Sequence, residues 1–464
     1  MREWIKVWGV IAVGVGIRVG CLLTTELNSL LRSRVELSTG LTSPERLVEG
    51  VYLSQTPASL STPSLGANYA PHSGSPVHTP PLLVYALSLL TSLFPSASVD
   101  VWHTWIVLAG VVADAVAAYA LAWAAHSLRH HPTTTPTTTP TTTPNPLSRE
   151  SSNDDDDGGD RSANTDDGGE WTIRPHLAAA AYVLNPVGMA SCLAGSLSGV
   201  SNAGLMVGLA GGVAGSSVVG ALGLGLAIYL SVAPWALVFP LAMMVGKRSR
   251  TGTLGSVRCL AAVGGVVAGL AWASTWVTGG LSHWVWAVYG PMMDPAISLR
   301  PNVGLWWYFH TEMFPHFSTF FICVFHLFPL AFLSPLLLRF SSDPVFLYIV
   351  LSGIGTLFKP YPQMGDAAAY VASASLVAGL HVHMRYKLLN VNLAAFACAI
   401  LPTFWFIWVE VEAGNANFFY NTTLVYAMAQ IWFILDLVYA RSHLGAALSP
   451  PTPDSIGVTV TVTE

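Results

Sequence analysis

A chain of 464 residues that is 52% apolar and only 10% charged, with a mean hydropathy of +0.53, lacks the charge to dress a soluble surface, which normally carries roughly a quarter charged residues. It reads as a polytopic membrane protein. Much of the acid behind the formal charge of −5 sits in one run near Asp154 to Asp167, so the membrane part is close to neutral and no nucleic-acid partner is implied.

Arg2 and Lys6 precede an apolar run to Leu23, the charged front of a signal peptide. Arg18 interrupts that run, and no small-x-small cleavage site leads into a soluble domain, so a retained first span is expected at 4–23. Apolar windows suited to about 30 Å of hydrocarbon follow at 101–125, 175–193, 203–219, 220–232, 234–246, 254–278, 317–338, 343–358, 366–384, 388–410 and 420–440. The expected fold is therefore an all-α polytopic membrane protein with about 12 transmembrane helices. Pro80 to Phe94 is expected to be a short, partly inserted helix. The glycines and prolines of 203–246 fit either broken helices covered by protein or close helix packing.

Four units follow. Residues 1–126 hold the N-terminal spans and a loop at 24–79. Residues 127–172, with Thr-Thr-Thr-Pro repeats and Asp154 to Asp157, are expected to be a disordered cytoplasmic linker. Residues 173–442 form the main bundle, and 443–464, with Pro450, Pro451 and Pro453, a flexible cytoplasmic tail.

Lys247-Arg248-Ser249-Arg250, Arg339, Arg385 with Lys387, and Arg441 alternate with loops nearly free of Lys and Arg, which assigns these four to the cytoplasmic side. Loops 279–316, 359–365 and 411–419 then share the opposite face with 24–79. The first of them runs from Pro301 through Trp306, Trp307, Tyr308 and Phe309 to Glu312, a carboxylate among interfacial rings that is costly without a partner. In the next, Lys359-Pro360-Tyr361-Pro362-Gln363-Met364-Gly365 ends on Asp366, an expected N-cap, with Lys359 either snorkelling or pairing with it. In the last, Asn415 and Asn417 precede Phe418 and Phe419: two amides for a phosphate or glycan headgroup, with rings at lipid level. Either Asn also suits a helix cap. The first loop resembles that of the multispan mannosyltransferases that use a dolichol-linked donor, in which an Asp-x-Asp ahead of a Glu-Gly like Glu49-Gly50 supplies base and metal ligand. That resemblance implies Glu36 as the base and puts Arg34 where the other acid would stand, which would repel a metal. His72 and His78 match no metal spacing and are read as hydrogen-bonded loop histidines. Cys21, Cys192, Cys259, Cys323 and Cys398 fall singly in or beside apolar stretches, as small buried residues do.

Taken together, Pro301 to Phe309 with Glu312-Met313-Phe314, Phe358 to Pro362 with Gly365-Asp366, and Asn415 to Tyr420 resemble the successive signatures of the class U subunit of the glycosylphosphatidylinositol (GPI) transamidase. Val48-Glu49-Gly50, His78-Thr79-Pro80 and Leu184-Asn185-Pro186 match in order as well. The resemblance implies a noncatalytic multi-pass subunit of the endoplasmic reticulum membrane, on a scaffold akin to the multispan lipid-linked mannosyltransferases. Its partners would be the other transamidase subunits, including a cysteine protease-like catalytic one, together with the GPI lipid and the C-terminal signal of the precursor. It implies no cofactor, metal or catalytic residue in this chain. On this reading Asn415, Asn417, Phe418 and Phe419 hold the lipid headgroup region, supported on the same lumenal face by Asn302, Trp306, Trp307, Glu312, Tyr361 and Asp366. Glu312 and Asp366 act there or fix the loops. The alternatives are a dolichol-phosphate-mannose-dependent mannosyltransferase, with Glu36 as base, and a pure assembly scaffold.

Overall fold

The computed structural model describes residues 1–24, 26–55, 77–94, 96, 98–130, 173–249, 252–294 and 300–447; 83% of these are helical and none lies in a strand. In chain order the helices are α1 (Arg2–Thr24), α2 (Leu27–Arg32), α3 (Pro44–Gln55), α4 (Pro81–Leu93), α5 (Val99–His130) and α6 (Pro175–Val183). Next come α7 (Pro186–Leu193), α8 (Ser198–Ala214), α9 (Ser217–Leu230), α10 (Val238–Arg248), α11 (Thr253–Thr278) and α12 (Leu281–Met293). The last six are α13 (Trp306–Glu312), α14 (Ser318–Arg339), α15 (Pro344–Leu357), α16 (Met364–Ser373), α17 (Lys387–Trp405) and α18 (Ala416–Ala447). Most of the expected linker and tail, 131–172 and 448–464, and His72 lie outside the described residues.

Among the described residues, six helices are long and apolar enough to cross a bilayer: α1, α5, α11, α14, α17 and α18. The pair α6 and α7, bent by 50°, makes a seventh if read as one span. This corrects the expected count of about twelve. Helices α8, α9, α10 and α15 have 17, 14, 11 and 14 residues; at about 1.5 Å per residue none reaches about 30 Å. Hydropathy windows run on through the turns between them and so overcount spans. The segment 24–79 is likewise not loop throughout. Pro44 opens α3 with Glu45 in its first turn, a start favoured by proline's fixed φ and the helix dipole, and Leu47, Val48 and Val51 pack with Val84, Ile106 and Trp284.

Each break has a local cause. Asn185 Oδ1 accepts from Val187 N at 3.0 Å and Gly188 N at 3.3 Å to start α7, with Pro186 as its first residue. Asp343 Oδ1 caps α15 through Phe346 N at 3.1 Å, again followed by proline. In the glycine-rich stretch the close-packing alternative holds for α8 and α9. A Cβ on Gly211 would lie 2.3 Å from Gly220 N, and one on Gly223 would lie 2.4 Å from Gly208 N, a small-residue seam of the kind that brings membrane helices together.

Helix α1 is built into this bundle. Val7 and Ile11 are buried, and Arg18, fully buried on the same helix, reaches Asp114 of α5 at 3.1 and 2.9 Å. It also donates to the carbonyls of Gly14 at 3.1 Å and Val183 at 2.6 Å. All five cysteines lie in helices, and no disulfide forms among the described residues.

Candidate functional site

The two ends of the bundle differ in chemistry. At one, the basic clusters come together: Lys247 Nζ donates to the carbonyls of Ser341 and Ser342, each at 2.7 Å, and Arg441 pairs with Asp343 at 3.0 Å. Asp436 accepts from Arg385 N at 2.8 Å, Tyr386 N at 3.0 Å and Asn390 Nδ2 at 2.9 Å. At the other end the segments carrying the candidate residues meet.

That meeting is hydrogen-bonded throughout. Met364 N donates to the Glu36 carbonyl at 3.0 Å, joining the first segment to the Lys359–Asp366 turn. Trp306 Nε1 donates to the Phe358 carbonyl at 2.9 Å, and Tyr420 Oη to the Leu305 carbonyl at 3.2 Å. Gln363, fully buried, is the hub: its side chain bonds Thr42 and Ser196 and reaches Thr39 Oγ1 at 3.4 Å. Its role was missed at the sequence level. An amide between prolines and a helix start looks like ordinary turn composition.

The supporting residues sit inside this network. Asn302, 1% exposed, accepts from Gly304 N at 2.7 Å and donates to the Arg300 carbonyl at 3.1 Å, shaping the turn before α13. Trp306 and Trp307 are buried. Trp307 stacks on Trp408 with centroids 6.2 Å apart and meets Tyr420 edge-on at 6.0 Å. The expected N-cap role falls to Gln363 and not to Asp366. Three residues later, Asp366 returns its carboxylate to the Gln363 N–H in a capping box at the start of α16, and it pairs with Lys359 at 2.8 Å. Glu312 is exposed, with the Tyr308 hydroxyl as hydrogen-bond partner; burial, then this contact, raises the Tyr308 pKa.

At the start of α18 the four adjacent residues part ways. Asn415 Oδ1 accepts from Phe418 N at 3.3 Å, so it caps the helix, while its side chain stays exposed. Asn417 is exposed and makes no hydrogen bond among the described residues, and Phe418 is 52% exposed. Phe419 is fully buried, with Trp405 at 5.2 Å and Trp408 at 5.9 Å. One residue along a helix turns a side chain by about 100°, so Phe419 fastens the turn instead of flanking a lipid. Ahead of them the chain leaves α17 through a wide turn at Phe406–Glu410, and Glu412 holds a left-handed φ of 56°, a strained conformation of the kind found beside functional loops.

Beside the Lys359–Asp366 turn lies a cavity of about 360 Å³, lined mainly by apolar side chains such as Trp235, Phe325 and Phe358. Its polar groups come from Thr42, His78, His326, Lys359 and Tyr361. His78 Nδ1 donates to the Ala287 carbonyl at 2.7 Å, and burial first, then the charges of Arg300 and Arg46, hold its pKa below the usual value. The imidazole is therefore neutral near pH 7. Such an opening suits a lipid chain with a polar group at its end.

Glu36 is 2% exposed, and among the described residues neither carboxylate oxygen has a hydrogen-bond partner on another residue. Burial raises its pKa, against the pull of its own backbone N–H and Arg34. The folded state thus binds this proton more tightly than the unfolded chain, so the stability it contributes is full below the ordinary glutamate pKa and is lost as pH rises past it. Glu36→Gln keeps the shape without the acid. It is expected to melt a few degrees above the parent at pH 8, with the gap shrinking toward pH 5, in thermal-aggregation scans of detergent-solubilised protein.

Residues 12–426 match the family described as GPI transamidase subunit PIG-U. The chain belongs to the PIG-U family. Among relatives, it is 28% identical over 442 residues to the human GPI-anchor transamidase component PIGU, covering 93% of this chain and 92% of that protein. It is 27% identical over 440 residues to the GPI transamidase component GAB1 of Saccharomyces cerevisiae, covering 92% and 94%. The Schizosaccharomyces pombe GAB1 homolog is 39% identical over 142 residues, 31% of this chain. The matched span of this PIG-U family member takes in every candidate residue above, whereas the expected likeness to a mannosyltransferase scaffold gains no support.

Proposed function

We propose that this PIG-U family member is a noncatalytic, multi-pass subunit of GPI transamidase in the endoplasmic reticulum membrane. In this role it holds the GPI lipid beside the cysteine protease-like catalytic subunit. The observation that carries the reading is the single hydrogen-bonded surface made by four distant segments at the end of the bundle away from the basic clusters. Asn417 and Phe418 stand exposed on it, an amide and a ring at the headgroup boundary. In the same region, Lys359 and Tyr361 line the apolar cavity, which would take an acyl chain. Asn302, Trp306, Trp307, Asp366 and Phe419 keep that surface in shape, and Asn415 sets the direction of the first turn of α18.

A subunit of this kind contributes by position. Orienting two reactants is worth up to about 7–11 kcal/mol of a barrier, and a rigid surface that fixes the lipid amine donor near a neighbouring thioester supplies part of it. The mannosyltransferase alternative needs a base that reaches an acceptor hydroxyl, and the burial of Glu36 argues against it. The scaffold alternative makes a distinct prediction about lipid content. On the proposed reading, Asn417→Ala lowers the GPI that copurifies with the assembled complex without lowering its subunit content.

A further inference from the structure

The cavity beside the Lys359–Asp366 turn is apolar in its depth. From Phe358 to Leu351 its wall follows the last turns of α15, about 10 Å of helix at about 1.5 Å per residue. Trp235, Met293 and Leu330 in its lining are 37%, 38% and 37% exposed, so its side opens where membrane helices meet hydrocarbon. Its polar groups are already engaged. Lys359, the one permanently charged side chain in the lining, pairs with Asp366 at 2.8 Å, and His78 and His326 each bond a backbone carbonyl, at 2.7 and 2.8 Å. A lipid whose chain enters this space must therefore find a partner for its headgroup at the mouth.

A cation stands there. Arg300 is the one Lys or Arg in the loop 279–316, and the charge bias that orients the bundle gives no reason for it on this face. Its position is built. Asn302, 1% exposed, holds the Arg300 carbonyl at 3.1 Å. The side chain lies against Gly40, where a Cβ would come 3.0 Å from Arg300 Cδ and 3.5 Å from its Nη1. Leu41 and Thr42, next in the chain after Gly40, line the cavity, as do Tyr361 and His78, which both feel the Arg300 charge.

Arg300 is exposed, and among the described residues its guanidinium has no ion pair and no hydrogen bond. Glu49, which attracts it, is held by Arg46 at 2.7 Å. Partial burial, and then the like charge of Arg46, lower the Arg300 pKa from its usual value, although a guanidinium stays charged all the same. Two neighbouring guanidinium groups that share one carboxylate leave a net positive charge beside an apolar cavity. The planar fork of N–H donors on arginine matches the oxygens of a phosphate.

We infer that Arg300, with Arg46 beside it, binds the phosphodiester that joins the lipid part of GPI to its inositol, while an acyl chain of the same molecule enters the cavity lined by Trp235, Phe325 and Phe358. The inference rests on the function proposed above and assigns the lipid end of that site, with the glycan left to the loop surface.

The test uses the assembled complex, with GPI and ordinary phospholipid per complex quantified by mass spectrometry alongside subunit stoichiometry. Arg300→Gln changes an exposed side chain, so the complex is expected to assemble as in the parent. Bound GPI is expected to fall about tenfold, the scale of one hydrogen bond to a charged group, and Arg300→Lys, which keeps the charge, is expected to recover part of the loss. Dependence on the phosphate is read with photoactivatable phosphatidylinositol and diacylglycerol of the same chains. The first is expected to label α14 and α15 about tenfold more than the second in the parent, and equally in Arg300→Gln. Unchanged GPI in Arg300→Gln, where Asn417→Ala lowers it, would overturn this inference and leave the proposed function standing. A parent complex without bound GPI would overturn both. Equal labelling by the two probes in the parent, or loss of ordinary phospholipid in place of GPI, would also overturn the assignment.

Discussion

Asp114→Ala is expected to destabilise the folded protein by about 3–5 kcal/mol, the cost of leaving one member of a buried ion pair behind. Arg18 is fully buried, and Asp114 supplies the carboxylate for two of its four hydrogen bonds. The carbonyls of Gly14 and Val183 remain in the variant, but neither neutralises the guanidinium. A loss of that size is a large share of a typical stability of about 5–15 kcal/mol. Little monodisperse protein should survive fluorescence-detected size exclusion after mild heating. The double change Arg18→Met with Asp114→Leu, which replaces the pair by apolar volume, should recover most of the loss. If the single variant melts like the parent, the pair does not hold α1 against α5.

The second large effect belongs to the seam between α8 and α9. Gly223→Leu places side-chain atoms where Gly208 N already lies 2.4 Å from the first of them. That neighbour is backbone and cannot swing aside, so the helices must separate. Overpacking costs about 1–3 kcal/mol even where side chains can adjust, and the loss here should be at the upper end or beyond it. Gly264→Ala on α11 is the control, because an added Cβ there meets nothing within 4 Å and alanine favours a helix by up to about 1 kcal/mol. The same thermal assay should separate the two sharply.

These two sites mark where sequence reasoning stops. The alternation of Lys247, Arg339, Arg385 and Arg441 with loops nearly free of Lys and Arg was enough to separate the two ends, because charge placement is a local property of each loop. Lys359 with Asp366 was one of two local options, because the partners are only seven residues apart, but the cap itself fell to Gln363. Arg18 could be seen to interrupt an apolar run, yet its partner lies 96 positions away, and nothing local points to it. The span count failed because an apolar window measures composition, whereas crossing a bilayer needs continuous helix length. At the candidate site the residues that meet were mostly recognised, but not which way they face. Phe418 and Phe419 are equivalent in composition, and only the packing of Trp405 and Trp408 turns one inward. Gln363 was hidden because its bonds run to Thr39, Thr42 and Ser196, all remote in sequence.

The central claim is that the loop surface holds GPI, and the lipid content of the purified complex tests it most directly. The variant is Asn417→Ala with Asn415→Ser, in which serine preserves the helix cap and the amides are gone. GPI per assembled complex is quantified by mass spectrometry alongside subunit stoichiometry. The expected result is unchanged stoichiometry with bound GPI reduced about fivefold to tenfold, the scale of one or two lost hydrogen bonds. An intact complex carrying as much GPI as the parent would contradict the account.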